Sequence, residues 1–243
     1  MNRDCRSNRR SVVAGYVIPI ALWVASAITA TLPARADLLP ISLYGETLTF
    51  DVLRDGTPVG SHTVSFFREE ESLVVETKLD ITIKFLMFTA YRLDYSSKAL
   101  WSDGRLIFLE ARTDDDGKIG LVNAQRSNGL IRITGPDGSK AVTSDIFPTN
   151  HWNVAVTQSA EVLNTITGQV NKVSIRNLGL ETITAEKIKI KARRWTYTGD
   201  IKNEVWYDDE GRWVKMRFTG KDGSSIEYVC TKCLGGGNAA AHR

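Results

Sequence analysis

The sequence predicts a mainly β protein. One strongly curved antiparallel sheet, or open half-barrel, would carry a single amphipathic helix across its concave side. Five Asp-Gly pairs predict the sheet, because Asp-Gly between alternating segments is a strong hairpin signal. Two long segments also alternate apolar and polar residues, as half-buried strands do. One remaining segment has helical spacing, and such a helix must bury its apolar face against the sheet.

The first 36 residues have the layout of a cleaved secretory signal. Four arginines precede an uncharged run over 11–32, and Ala34-Arg35-Ala36 supplies small residues for a cleavage site. We therefore expect a periplasmic protein that begins at Asp37 and has no transmembrane segment after cleavage. The alternative is an uncleaved anchor, since a run of that length spans a bilayer. Arg9-Arg10 leaves the twin-arginine export route open beside the general one.

The positive charge of the whole chain belongs to this predicted signal. Of 31 Lys and Arg and 28 Asp and Glu, residues 1–36 hold five and one, which leaves 26 and 27. A nearly neutral chain loses the main argument for nucleic-acid binding. Residues 37–234 are long enough for a single β domain with a substantial core. Residues 235–243, which begin with three glycines, are expected to be a flexible tail.

Two long alternating segments, 73–85 and 91–101, are expected to pair as a hairpin around the apolar connection 85–89. The concave face that they build can be filled by the protein's own side chains or left open for an apolar ligand. The residues expected to line it and contact such a ligand are Leu79, Ile81, Ile83, Tyr91, Leu93 and Tyr95, with Trp152 added from the helix.

Shorter strands complete the predicted sheet. In the segment 182–197 the apolar face changes parity between Ala185 and Ile188, which predicts one strand broken by a β-bulge. The other shorter strands are expected near 46–53, 59–67, 105–112, 118–125, 130–134, 140–143, 170–176, 201–207, 213–219 and 225–229.

The predicted helix covers residues 149–168. Thr149 and Asn150 are N-cap candidates, and Gly168 is a plausible stop because glycine accepts the left-handed conformation that ends many helices. One face of this helix would carry Trp152, Val156, Ala160 and Leu163.

Two cysteines, Cys230 and Cys233, remain after the predicted signal. Cysteines this close are expected to form a disulfide in an oxidising compartment. A redox-active C-x-x-C normally opens a helix, whereas this pair precedes a glycine run. A zinc ribbon needs a second pair of cysteines, so we predict neither a metal site nor a cofactor.

Six motifs together resemble a known family. They occupy residues 44–62, 100–106, 113–117, 151–153, 167–168 and 205–213, and include L-W-S-D-G-R-L and V-W-Y-D-D-E-G-R-W. They resemble an uncharacterised family of secreted proteins of Gram-negative bacteria, domain-of-unknown-function family 6134. This resemblance supplies no established activity and no catalytic residues to carry over. At fold level the layout is similar to periplasmic lipoprotein carriers of the LolA type, with a curved sheet and helical lid. Fold alone does not fix function.

His151-Trp152-Asn153 is the least common local cluster in the chain. It has two interpretations: an imidazole at the mouth of the concavity, or a helix start anchored by Trp152. Catalysis would require a nucleophile and an orienting acid beside His151, and no G-x-S-x-G motif accompanies it.

Three functions follow in order of preference. The first is non-enzymatic binding of a lipid or other apolar molecule in the curved sheet. The second is an envelope assembly factor that holds a protein partner through sheet edges or a basic stripe. The third is a hydrolase-like enzyme around His151. The stripe comprises Lys187, Lys189, Lys191, Arg193 and Arg194.

Overall fold

The computed structural model describes residues 39–86, 88–143 and 145–235. The predicted signal over 1–36 and the predicted tail after residue 235 lie outside these ranges. Within them, no helix is both long enough and apolar enough to cross a membrane.

The mainly β fold is confirmed: the described residues form fifteen strands and one short α-helix. Helix α1 spans Leu39–Tyr44, and a 3₁₀ helix, η1, spans Val154–Gln158. The strands are β1 Thr47–Arg54, β2 Thr57–Glu69, β3 Ser72–Phe85, β4 Phe88–Ser102, β5 Arg105–Asp115, β6 Lys118–Ser127, β7 Leu130–Gly135, β8 Gly138–Val142, β9 Phe147–Pro148, β10 Glu161–Leu163, β11 Val170–Ala185, β12 Ile188–Gly199, β13 Asn203–Asp208, β14 Trp213–Thr219 and β15 Ser225–Lys232.

All described strands belong to one open, curved sheet. Its order is β8-β7-β6-β5-β4-β3-β2-β1-β15-β14-β13-β12-β11-β10-β9, so the first strand pairs with the last. Two meanders therefore spread from the β1–β15 pair, and β8 and β9 form the edges. Neighbouring strands are antiparallel, apart from the short parallel contact between β9 and β10.

The Asp-Gly turns explain the meanders. Asp55, Asp103 and Asp116 have φ of 48°, 50° and 54°, and each is followed by a glycine that also has positive φ. Two successive residues with positive φ give the tight turn whose twist matches that of paired strands. Asp and Gly accept this backbone region more readily than most residues do.

The predicted helix over 149–168 is wrong. In its place, β9 and β10 flank η1, and a turn follows β10. The side chain of Asn153 accepts from the backbone N–H of Ala155 at 3.0 Å. Asn164 accepts in the same way from Ile166 and Thr167, at 3.0 and 3.2 Å. Such local side-chain bonds compete with helix formation.

The predicted bulge near residue 186 is also wrong, because β11 and β12 form a hairpin there. Glu186 and Lys187 take φ of 47° and 66° and make its two-residue turn. The change of parity in the sequence marks this turn. A shift of register lies instead between Asn177 and Gly179, on the same hairpin.

Most of the core lies on one face of the sheet, which we call the inner face. In β3 it takes the odd positions, as the alternation predicts: Leu73, Val75 and Leu79 are buried. Aromatic side chains dominate its centre, and burial of each large side chain contributes about 1.5–3 kcal/mol. The largest buried aromatic residues are Tyr44, Phe50, Phe66, Trp101, Trp152, Tyr197, Tyr207, Trp213 and Tyr228.

Candidate ligand-binding site

The centre of the inner face is filled by residues 146–152, which we call the interior segment. The Trp152 ring lies 5.2 Å from that of Trp101 and 5.6 Å from that of Phe66, between centroids. Its carbonyl accepts a hydrogen bond from Tyr44 Oη at 2.8 Å. The cavity beside this contact holds about 60 Å³. Trp152 therefore fills the part of the core that lies between Trp101, Phe66 and Tyr44.

His151 points into the other half of the sheet. Its ring contacts Tyr197 and Trp213, at centroid distances of 5.4 and 5.7 Å. Tyr207 donates to its carbonyl at 2.9 Å, and the Asn203 amide lies 3.3 Å from its Nε2. Its φ of 55° lies in the left-handed region, which histidine enters more often than most residues do.

Burial lowers the pKa of His151 to about 4, so its imidazole is neutral near pH 7. Nδ1 has no hydrogen-bond partner among the described residues. The acid that an enzyme around His151 requires is therefore not in hydrogen-bond contact with the ring in the described part of the chain.

His62, on β2, is the second buried imidazole of the inner face. It is 6% exposed and lies against the rings of Phe50, Trp213 and Tyr228. Neither ring nitrogen has a hydrogen-bond partner in the described residues. Burial, with a smaller contribution from nearby His151, lowers the pKa of His62 to about 3. An unpaired buried imidazole is costly to retain and marks a place where a polar group can be received.

Next to His62 lies a set of apolar cross-strand pairs, which we call the apolar ladder. The structure brings together six of the seven residues predicted to contact a ligand. They form the pairs Leu79–Tyr95, Ile81–Leu93 and Ile83–Tyr91 between β3 and β4. Leu79 and Tyr95 are buried, whereas the outer two pairs keep part of their surface exposed. Trp152, the seventh, packs on Trp101, which pairs with Leu73 about 20 Å along β3 from Leu79.

The ladder runs outward to a projecting hairpin tip. Pairing of β3 with β2 ends at Ile81, and pairing of β4 with β5 ends at Leu93. Residues 82–92 therefore extend beyond the neighbouring strands. At the tip, Leu86 is 83% and Phe88 is 75% exposed. Exposed apolar side chains thus lie at the outer end of the hairpin that carries the ladder.

Polar groups close the buried end of the ladder. His62 pairs with Leu79 across β2 and β3. The hydroxyl of Thr77, one inner position further along β3, is buried and has no hydrogen-bond partner among the residues that the structure describes. Tyr95 donates to Thr165 Oγ1 at 2.8 Å, and burial raises the pKa of its phenol. Apolar walls with a few placed polar groups are the usual composition of small-molecule sites.

The remaining predicted residues lie elsewhere. Cys230 and Cys233 are joined as a disulfide at the end of β15. The five residues of the predicted basic stripe do not form one surface. Lys187 is in the β11–β12 turn. Arg194 donates hydrogen bonds to Glu181 and Glu204 on the face of the hairpin opposite to Lys191.

His62 and Thr77 were missed by sequence reasoning as site residues. His62 alternates with Val64 and Phe66 on β2, so the period of two already placed it on the buried face. Its proximity to His151 depends on the long-range pairing of β1 with β15, as well as on the curvature of the sheet.

The fold and inner face define a mainly β protein built on one open, curved sheet. The chain belongs to the family described as Domain of unknown function (DUF6134), whose model matches residues 50–231, and the resemblance carried by the motifs is confirmed. It is similar to a crystal structure described as a beta-barrel-like protein of Domain of Unknown Function DUF1849 from Brucella abortus. That likeness has a TM-score of 0.55 and 10% identity over 77% of this chain and 95% of the other, so it shows the fold alone. No curated protein matches the sequence.

Proposed function

We propose that this protein binds one lipid or other apolar molecule non-covalently at the apolar ladder. The observation that carries the proposal is a partly exposed apolar surface whose buried end, Leu79, pairs across strands with His62, a buried imidazole without a hydrogen-bond partner in the described residues. The apolar part of the ligand would cover Ile81, Ile83 and Leu93. Removing such surface from water contributes about 25 cal/mol per Å².

The chemistry of His62 limits the polar end of this ligand. Because burial keeps its pKa near 3, the imidazole is neutral and has one donor and one acceptor to offer a ligand. A charged group at this depth would lack a counter-charge and lose its hydration. The group that reaches His62 is therefore uncharged, such as a hydroxyl or an ester.

The proposal includes the periplasm as the place of action. The basic start, the uncharged run and Ala34-Arg35-Ala36 support it, as they do the removal of residues 1–36. Mass measurement of the protein from that compartment tests both points, since cleavage after Ala36 fixes the mass of the polypeptide.

Native mass spectrometry of protein purified without detergent tests the binding. We expect a stoichiometric extra mass that solvent extraction recovers as an apolar compound. Ile81→Glu places a carboxylate in the ladder and should abolish it, and Ile81→Trp should reduce it by filling space without adding charge. Leu121→Glu is the matched control, because Leu121 is 63% exposed on β6. Retained ligand in both Ile81 variants would contradict the assignment of the ladder.

A second candidate function is the holding of an envelope protein partner. The exposed apolar tip at Leu86 and Phe88 favours it, since large exposed apolar groups often mark interaction sites. A bare polypeptide mass in the same experiment would favour this function over ligand binding.

A further inference from the structure

The outer face of the sheet carries a second concave region, under an arm formed by the β11–β12 hairpin. The arm bends at Gly179, whose φ is 104° and whose N–H donates to Asn177 Oδ1 at 2.8 Å. Its turn is fixed on β15: Glu186 N donates to the Cys230 carbonyl at 3.1 Å, and Glu186 Oε1 accepts from Cys233 N at 2.6 Å. The arm therefore spans the outer face of β13 and β14.

A cavity of about 380 Å³ lies between the arm and the sheet. This volume is in the range of small-molecule sites. The arm contributes Glu181, Ile183 and Arg194 to its lining, and the sheet contributes Lys215, Arg217 and Val229.

Trp206 forms the base of this cavity and is 2% exposed. The charged groups of Arg194, Lys215 and Arg217 lie 5.5, 5.3 and 5.7 Å from its ring centroid. Its Nε1–H donates to Glu181 Oε2 at 2.9 Å. Three cations are thus held around one indole, at cation–π distances.

A count of hydrogen-bonding groups shows what the cavity can receive. Both oxygens of Glu181 are occupied, one by Trp206 and one by Arg194 at 3.0 Å. Arg194 and Arg217 share Glu204, yet the buried Nε of Arg194 has no partner in the described residues. Lys215 Nζ is 3.6 Å from Glu227, longer than a good hydrogen bond. The Nε of Arg194 and the ammonium group of Lys215 therefore remain available as donors, beside the carboxylates of Glu181, Glu204 and Glu227.

We propose that this cavity binds a small organic anion. Its carboxylate or phosphate group would lie against Lys215, Arg194 and Arg217, where charge-assisted hydrogen bonds form. Its apolar part would contact Ile183 and Val229. This site is on the opposite face of the sheet from the apolar ladder and does not depend on the function proposed for the ladder.

An NMR titration tests the site through the indole N–H signal of Trp206. Hexanoate and hexyl phosphate are the probes, with inorganic phosphate as the probe that lacks an apolar part. We expect saturable shifts with hexanoate, hexyl phosphate or both, which identifies the head group. We expect the binding hexyl compound to be at least about tenfold tighter than inorganic phosphate. Absence of a saturable shift with both hexyl probes would overturn the proposal, and equal affinity for inorganic phosphate would overturn the apolar contact.

Matched lysine variants separate a binding site from general attraction of anions. Lys215→Gln removes a cation from the cavity and should weaken binding at least about fivefold. Lys191→Gln removes one from the outward face of the same arm and should change affinity by less than about twofold. Equal losses in the two variants would overturn the proposal. Ile183→Phe, which fills the cavity without a change of charge, should also abolish the Trp206 shift; unchanged binding would overturn the assigned position.

Discussion

At the scale of single residues, the two buried histidines make stability depend on pH. An exposed histidine titrates near 6.5, but burial lowers the pKa of His62 to about 3 and of His151 to about 4. Below pH 6.5 the unfolded chain binds protons that the folded protein does not. The free energy of unfolding therefore has its full value, as far as these two histidines are concerned, above pH 6.5. It decreases as the pH falls toward the pKa values of the histidines in the folded protein. Each histidine costs about 1.4 kcal/mol per pH unit within this window.

Urea unfolding at several pH values measures this dependence. Between about pH 6 and pH 5, we expect the free energy of unfolding to fall more steeply for the native protein than for His62→Phe, by about 1.4 kcal/mol per pH unit. Carboxylates that titrate in the same range are common to both proteins, so they cancel in the comparison. Equal slopes in the two proteins would show that His62 is not held neutral by burial.

At the scale of elements, the sequence predicts hairpins well and the interior segment poorly. Asp-Gly turns and alternation are local signals, and the strands that they predicted are present. Trp152, Val156 and Leu163 have helical spacing and are all buried, yet they reach the core through a loop, η1 and β10. Ala160, the fourth residue of the predicted helix face, is exposed. Helical spacing therefore indicated burial correctly for three of the four residues, and its prediction of a helix was wrong. The backbone conformation of this segment depends on the hydrogen bonds that the side chains of Asn153 and Asn164 accept from nearby backbone N–H groups. It depends also on packing against strands that are distant in sequence.

The interior position of Trp152 has a measurable consequence. A residue that closed the concavity from outside as a lid would contribute little to stability, whereas this ring is 4% exposed between Trp101 and Phe66. We expect Trp152→Ala to lower the free energy of unfolding by about 3–5 kcal/mol. Phe88→Ala, at the exposed hairpin tip, should change it by less than about 0.5 kcal/mol. Urea unfolding compares the two, and similar small losses would contradict the interior position.

At the scale of the whole molecule, the sheet is organised around the pairing of its first and last strands. β1 lies between β2 and β15, so one meander, β1 to β8, and the other, β9 to β15, share this boundary. The sequence predicts each hairpin but contains no local signal for a pair of strands at opposite ends of the chain. The proximity of His62 to His151 depends on that long-range pairing, so it could not be predicted from the sequence.

Phe50 tests whether this boundary makes the two meanders one cooperative unit. It is fully buried on β1, and its ring lies 4.2 Å from that of Trp213 in the other meander. We expect Phe50→Ala to cost about 3–5 kcal/mol and to shift both meanders together. Fluorine NMR of fluorotryptophan-labelled protein in urea reports on them separately, through Trp101 on β4 and Trp206 on β13. Coincident loss of both native signals indicates one unit, because the boundary then couples the halves. Loss of Trp206 while Trp101 persists would show that each meander is stable alone and that β1–β15 pairing only docks them.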